Sequence, residues 1–170
     1  REALLAGAPA LAMIGLLVGF YFLNWIPPVP LSMKFGGMYH EVKRAGDHFE
    51  LSYEKRWFQV WQRSNTTVAA DEPIYCFTAV FAPVTLKTTV YHHWYYRSDK
   101  SKPFSHADKI PLKIAGGREG GYRAYTFKQG LDVGDWRVDV ETEDGRVIGR
   151  VPVHVEKRDD ASRSLTTIVY

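Results

Sequence analysis

Apolar residues are concentrated at the start of the chain, where residues 3–26 include no charged side chain. A helix needs about 20 apolar residues to cross the hydrocarbon core of a bilayer, so this run is long enough. Tyr21 and Trp25 lie near one end of the run, where aromatic rings favour the lipid headgroups. Prolines between residues 27 and 30 then end the helix, because proline lacks the backbone donor. The pattern predicts one transmembrane α-helix over residues 1–26.

A cleaved signal peptide and a buried soluble helix are the alternatives for this segment. A signal peptide has a basic start, a shorter apolar run and a small-residue cleavage site, whereas this run is longer and ends in Asn24-Trp25-Ile26. A retained span is therefore favoured, with the lipid bilayer as its first partner. Small residues also recur at a spacing that either admits another transmembrane helix or faces lipid: Gly7, Ala8, Ala12, Gly15 and Gly19.

After Pro30 the pattern changes to short extended runs separated by Gly, Pro and Asp. Strands at this spacing, without a helical period, predict an all-β fold, an immunoglobulin-like antiparallel β-sandwich. We expect the sandwich over residues 38–156, after a proline- and glycine-rich joint at 27–37 and before a C-terminal tail at 157–170. Polar connections are expected at 64–72 and 98–109. The predicted strands are 38–44, 48–53, 57–62, 74–81, 88–97, 110–115, 122–128, 135–142 and 146–156.

The last predicted hairpin turns at Asp144-Gly145, a dipeptide that favours a two-residue loop. Counting outward from this turn puts apolar residues of both strands on one face, which we expect to face the core. On the other face Asp139 is expected opposite Arg150, an opposite-charge pair. Pro152 has no amide donor and so predicts a sheet edge. The expected apolar pairs are Thr142 with Val147, Val140 with Gly149, Val138 with Val151, and Trp136 with Val153.

Composition narrows the function classes. The net charge of +3 is too mild for nucleic-acid binding, which needs a concentrated basic face. Cys76 is the only cysteine, so the chain has no intrachain disulfide. It stands in an apolar strand, which predicts a buried structural thiol rather than a nucleophile, because reactive thiols need accessible, electropositive surroundings.

Three stretches resemble the bacterial, membrane-associated family called domain of unknown function 2914. They are VYHHW at 90–94, GREGGYRAY at 117–125, and GDWRV at 134–138 with DGRVIG at 144–149. The stretch IPPVPL at 26–31 and Tyr39-His40 also resemble such proteins. With them, the resemblance covers roughly residues 27–156. It implies a small β domain tied to a membrane segment, and it brings no established activity and no catalytic residues.

The histidines give no metal site and no cofactor. His92 and His93 are adjacent, so on a strand they point to opposite faces, and the remaining histidines have no ligand spacing. The glycine-rich turn at 116–121 lacks the Lys-Ser/Thr ending of a phosphate loop and is interpreted as a hairpin connection. Asp139 and Glu141 are expected on a solvated sheet face.

We therefore predict that the protein is not an enzyme and has no catalytic residues. The alternative, a hydrolase, would require two or more potential catalytic groups to meet in one pocket, because proton transfer needs hydrogen-bond reach. These groups are His93, His106, Asp132 and Asp135.

The predicted strand 88–97 carries aromatic residues on both faces. Assigning Trp94 to the core, because large rings gain most from burial, leaves a second set on the outside. Aromatic rings with guanidinium groups suit a protein or glycan partner. The alternative is core packing with a solvated tyrosine face, in a domain that is purely structural within a larger membrane protein. The predicted binding residues are Tyr91, His93, Tyr95 and Arg97, joined by Arg118 or Arg123.

The expected location is the bacterial inner membrane, with the β domain in the periplasm. This rests on fold analogy, since aromatic-rich sandwiches are frequent in extracytoplasmic modules. Lys34, Lys43 and Arg44 follow the apolar run and favour the opposite orientation by the positive-inside rule.

Overall fold

The computed structural model describes residues 2–23, 31–55, 61, 63–83, 86–115, 120–157 and 164–170. The chain divides into two compact units, residues 1–30 and 31–170. The first unit holds one helix, α1 (Glu2–Phe22), whose apolar side chains from Leu11 to Phe22 are largely exposed. In the described part of the chain, no helix is both long and apolar enough to cross a bilayer. The transmembrane span predicted for residues 1–26 is thus not confirmed.

The second unit is built from strands alone in its described residues, which confirms the all-β prediction. The strands are β1 (Ser32–Tyr39), β2 (Glu41–Ala45), β3 (His48–Glu54), β4 (Thr67–Ala69), β5 (Ile74–Phe81), β6 (Lys87–Arg97), β7 (Ser105–Ala115), β8 (Tyr122–Lys128), β9 (Gly134–Thr142), β10 (Val147–Glu156) and β11 (Leu165–Val169).

Three sheets arrange these strands in layers. The large sheet has the order β4-β10-β9-β6-β7, the middle sheet β1-β5-β8 and the small sheet β11-β3-β2. Neighbouring residues of β5 point to opposite sides of the middle sheet: Cys76 joins the core shared with the large sheet, and Phe77 joins the core shared with the small sheet. Since both faces of β5 are covered, the strand is apolar almost throughout. The small sheet is a third layer that the two-sheet prediction lacked.

The strand predictions at 74–81 and 122–128 match β5 and β8. Three strands were not predicted: β1 begins inside the expected joint, β4 lies in an expected polar connection and β11 in the expected tail. β1 was not predicted because it contains Gly36 and Gly37, and glycine is depleted in strands. Glycine is needed there, since a Cβ on Gly37 would lie 2.7 Å from the Ser64 Cβ. The predicted strand at 57–62 lies, apart from residue 61, outside the described residues.

The register of the last hairpin agrees with the prediction except next to the turn. Val140 pairs with Gly149, and Asp139 with Arg150, as expected. Val147 pairs with Glu141 instead of Thr142, because a bulge follows the turn. The remaining expected pairs, Val138 with Val151 and Trp136 with Val153, are present.

Pro152 lies where one side of β10 is open, because β4 pairs with β10 only from His154 to Glu156. The prediction that Pro152 lies at a sheet edge is therefore correct for this part of β10, but not for its C-terminal end. The β4–β10 pairing is parallel, so the sandwich is not antiparallel throughout.

Candidate functional site

Alternation along β6 separates a core face from an outer face. Val90, His92 and Trp94 are fully buried inside the sandwich. The outer face of the large sheet then receives the four predicted binding residues of β6, beside the charged residues of β9. We call the following set the outer-face cluster: Tyr91, His93, Tyr95 and Arg97 from β6, Asp135, Arg137, Asp139 and Glu141 from β9, with Phe104, Lys109, Arg150 and His154.

Glu141 is the centre of one half of this cluster. Its Oε1 lies 2.9 Å from Nδ1 of His93 and accepts a hydrogen bond of 3.3 Å from the Tyr95 hydroxyl. Its Oε2 lies 3.1 Å from Nζ of Lys109. Burial alone would raise the pKa of Glu141, but the hydrogen bonds from Lys109 and His93 outweigh it and hold the pKa below its usual value. Glu141 is therefore a buried, ionised carboxylate.

Asp135 and Asp139 form the other half. Asp135 binds Nδ1 of His154 at 2.7 Å and Nη2 of Arg97 at 2.9 Å. The hydrogen bond from His154, with that from Arg97, lowers the pKa of Asp135 against the opposing effect of burial. Asp139 lies 2.8 Å from Nε of Arg137 and 3.4 Å from Nε of Arg150.

The prediction that Asp139 and Glu141 lie on a solvated face is wrong. Only 4% of the Asp139 side chain and 8% of the Glu141 side chain are exposed. The physical reason is that long cationic side chains from neighbouring strands lie over both carboxylates. Such burial is compatible with ionisation only because each carboxylate has cationic partners.

Cations and rings form the outermost layer of the face. The guanidinium groups of Arg97 and Arg137 lie 4.5 and 4.4 Å from the centre of the Phe104 ring. Arg137 also lies 5.1 Å from the ring centre of Tyr95. The four predicted residues of β6 are neither buried nor fully exposed. They adjoin one another as predicted, but they are partly covered.

The two additional arginines do not join the cluster in the described residues. Arg118 lies outside the described residues. Arg123 is in β8 of the middle sheet, where it donates a 2.7 Å hydrogen bond to the carbonyl of Asp47 and lies over the Tyr170 ring. The prediction of a hairpin connection at 116–121 is also wrong, because β7 and β8 belong to different sheets. This change of sheet carries Arg123 away from β6.

Of the groups that the hydrolase alternative needs, His93 and His106 lie next to each other. Their rings pack edge to face with centres 4.7 Å apart, and Nδ1 of His93 is engaged by Glu141 and Tyr95. Asp135, however, is paired with Arg97 and His154. Within the described ranges, no three His, Cys, Asp or Glu residues are placed to hold a metal ion.

His92 belongs to the core instead. Its Nε2 lies 2.8 Å from the Thr78 hydroxyl and its Nδ1 2.9 Å from the Thr126 hydroxyl, which also accepts the Trp94 indole N–H at 3.1 Å. Burial lowers the pKa of His92 to about 4, so the ring is neutral.

Sequence reasoning missed the role of β9 in the face. The signal was present: charged residues occupy positions 135, 137, 139 and 141, whereas 136, 138 and 140 are apolar. Strict alternation of this kind places all four charges on one face. The partners Lys109, Arg150 and His154 come from other strands, and only the pairing of those strands brings them together.

Residues 87–155 match the family described as "Protein of unknown function (DUF2914)". This confirms the resemblance found in the sequence, over a shorter range than 27–156. All of the outer-face cluster lies within the match. No curated protein matches the chain significantly.

Among solved structures, the chain is similar to an immunoglobulin-like protein from Pseudomonas aeruginosa. The two share 10% sequence identity with a TM-score of 0.41, over 76% of this chain and 99% of the other. The similarity concerns an immunoglobulin-like β domain and carries no argument about function.

Proposed function

We propose that this protein is a membrane-anchored, non-catalytic binding or assembly module, and that the outer-face cluster contacts an acidic surface of a protein partner. The observation that carries the proposal is the order of charges above the large sheet. The carboxylates lie beneath, and the cations lie towards solvent: 60% of the Arg150 side chain and 39% of the Lys109 side chain are exposed. A partner approaching this face meets positive charge first.

The same arrangement holds the arginines in place. Arg97 is fixed by Asp135, and Arg137 lies between Asp139 and the rings of Tyr95 and Phe104. Arginine and tyrosine are enriched among the residues that dominate binding energy at protein interfaces. Binding by side chains that are already ordered avoids part of the entropy cost of association. The competing proposal is a purely structural domain of a larger membrane protein, in which this face has no partner.

The test uses the full-length, tagged protein in bacterial membranes. Partners are crosslinked, captured and quantified by mass spectrometry for the wild type and for Arg150→Glu. We expect the charge reversal to lower partner recovery by about tenfold, because it puts an anion at the most exposed point of the face. The matched control is Arg146→Glu, in the turn of the same hairpin, where the arginine is paired only with the exposed Asp144 in the described residues.

The outcome is interpreted only if both variants melt within a few degrees of the wild type. Recovery that falls in Arg150→Glu but not in Arg146→Glu supports the binding module. An unchanged set of partners in Arg150→Glu contradicts it and favours the structural alternative.

The anchor and the location are part of the proposal. The uncharged run at 3–26 supports the anchor, since it extends past the end of α1 and has the length of a span. Fold analogy supports a periplasmic β domain in the bacterial inner membrane.

The orientation is tested with Glu143→Cys in intact spheroplasts, using a membrane-impermeant thiol reagent. Glu143 lies exposed in the turn after β9. The native Cys76 gives no background, because it is buried and burial raises its pKa strongly. Labelling of intact spheroplasts is expected. Labelling only after lysis would place the domain in the cytoplasm, and release of the protein by alkaline carbonate would contradict the anchor.

A further inference from the structure

The described part of the β domain begins at Leu31, and the strand ends around this residue form one end of the sandwich. Leu31 packs against the core cluster that contains Ile114 of β7, as does Tyr122, the first residue of β8. β6 begins beside them, since its first residue Lys87 pairs with Ala115, the last residue of β7. The chain therefore enters the domain at the end where β6 and β8 begin and β7 ends.

An open groove of about 420 Å³ lies at this end, where β6 and β7 of the large sheet meet β8 of the middle sheet. We call it the basic groove. Ammonium and hydroxyl groups line it, and both donate hydrogen bonds of the kind that bind phosphate oxygens. No acidic residue lines the groove in the described part of the chain. Its polar groups come from Lys87, Thr88, Thr89, Lys113 and Tyr122.

The two lysines of the groove place like charges at neighbouring positions. Lys87 pairs with Ala115 and Lys113 pairs with Thr89, so the lysines are diagonal neighbours on one face of the large sheet. Both are exposed, and no described carboxylate lies within 4.0 Å of either ammonium group. Three other lysines each have a carboxylate partner: Lys43, Lys109 and Lys128. Because neighbouring like charges repel each other, an anion from outside the domain is favoured in the groove.

We propose that the basic groove docks on the phosphate groups of anionic lipid headgroups. The inference rests on the membrane anchor of the proposed function. With residues 3–26 in the bilayer, residues 27–30 separate the apolar run from Leu31, and this connection spans at most about 18 Å when fully extended. The covalent chain thus holds the groove near the headgroups, at a high effective concentration. Basic residues next to a membrane segment bind anionic lipids by electrostatic attraction.

The charges at the two ends of the domain agree with this docking. Lys34 lies in β1 soon after Leu31 and is exposed, so it adds a cation at the entry end. The turn between β6 and β7, at the opposite end, carries charges of both signs: Asp99, Lys100 and Lys102. The turn between β9 and β10 lies at the entry end but carries Glu143 and Asp144, which anionic headgroups repel. We therefore expect this turn to remain in water while the basic groove faces the lipid.

The test uses the full-length protein in nanodiscs of phosphatidylglycerol, which is anionic, or of phosphatidylcholine, which has no net charge. A trace of lipid with a nitroxide on its headgroup broadens the amide NMR signals of residues that lie close to the headgroups. We expect broadening at residues 87–89 and 113–115 in phosphatidylglycerol, less broadening in phosphatidylcholine, and a decrease at high salt.

The double variant Lys87→Gln/Lys113→Gln should lower the ratio of docked to undocked protein about thirtyfold, since each lysine contributes a factor of about five near an anionic surface. The matched control is Lys100→Gln/Lys102→Gln, which removes the same charge from exposed positions at the opposite end. Broadening that is lost in the groove variant and kept in the control supports the proposal. Equal broadening in the two lipids, or no change in the groove variant, overturns it.

Other occupants of the groove give different results. If inorganic phosphate at constant ionic strength shifts the same amide signals in phosphatidylcholine nanodiscs, the groove binds free phosphate and the lipid assignment is wrong. If the groove variant loses a captured protein partner while phosphatidylglycerol causes no broadening, the occupant is an acidic protein. Failure of the anchor is distinguishable, because the protein would then not co-elute with phosphatidylcholine nanodiscs, and the inference would fall with it. Co-elution without broadening contradicts the inference alone.

Discussion

The buried His92 makes the stability of the domain depend on pH in a calculable way. The ring has no exposure, and the folded protein lowers its pKa from 6.5 to about 4. Because the unfolded chain binds the proton more tightly, acid favours unfolding. The stability is unaffected above the unfolded pKa of about 6.5 and falls as the pH decreases towards 4. The difference between the two pKa values corresponds to a loss of about 3 kcal/mol at the acid limit, of which about 2 kcal/mol is lost by pH 5.

The matched variant for this prediction is His92→Gln, which keeps a polar side chain between the hydroxyls of Thr78 and Thr126 but does not titrate. Unfolding in urea is followed by tryptophan fluorescence between pH 7.5 and 5, for the full-length protein in detergent. The wild type is expected to be the more stable at pH 7.5, and its advantage is expected to shrink by about 2 kcal/mol at pH 5. Other titrating groups cancel in the comparison. A control, His48→Gln at an exposed position of the β2–β3 hairpin, makes the same replacement where no core contact is lost and should leave the unfolding free energy at pH 7.5 unchanged.

One result would refute this reasoning. If the difference in unfolding free energy between wild type and His92→Gln were constant from pH 7.5 to 5, the ring would take up its proton equally in both states. His92 would then have access to solvent that the core packing denies it.

Three further predictions concern other buried positions. Gly37→Ala should destabilise the domain by about 1–3 kcal/mol in thermal or urea unfolding, because the added Cβ meets Ser64, whereas Gly7→Ala, whose Cβ meets nothing within 4 Å, should not. Glu141→Gln should cost about 1–3 kcal/mol at pH 7 in urea unfolding. The difference in stability between wild type and variant should disappear as the pH falls through the pKa of Glu141 in the folded protein, which lies below its usual value. The reason is that the carboxylate stabilises the fold only while it is ionised. Cys76 should react with a disulfide reagent at pH 8 only after urea is added, and rapid reaction in the native state would contradict its burial.

The pattern of apolar and polar residues predicted β5, β8 and the core face of β6. β5 and β8 were predicted at their observed bounds, and the assignment of Trp94 to the core is confirmed by its full burial. β5 and β8 are runs rich in aromatic and β-branched residues between turn residues, and alternation along β6 places Trp94 on the core face. β1 was not predicted because it contains two adjacent glycines, which are uncommon in strands. β4 was not predicted because a strand of three residues is too short to show a period.

The sequence predicted which strand carries the candidate site, but not the ionic contacts that the site contains. The face of β6 carrying Tyr91 to Arg97 follows from alternation alone. The burial of Asp139 and Glu141 does not, because it depends on side chains that reach across from β7 and β10. The position of Arg123 depends on where the chain changes sheet, and no local pattern encodes that change.

The layering of the three sheets has a consequence for synthesis of the protein. The small sheet takes β2 and β3 from the beginning of the domain and β11 from residues 165–169. Phe77 in the middle sheet packs against Phe49 and also against Tyr170. While the chain leaves the ribosome, the ring of Phe77 thus lacks part of its cover until the last strand is made. Pairings between distant segments form slowly, so this aromatic face stays partly uncovered, and prone to non-native association, during that interval.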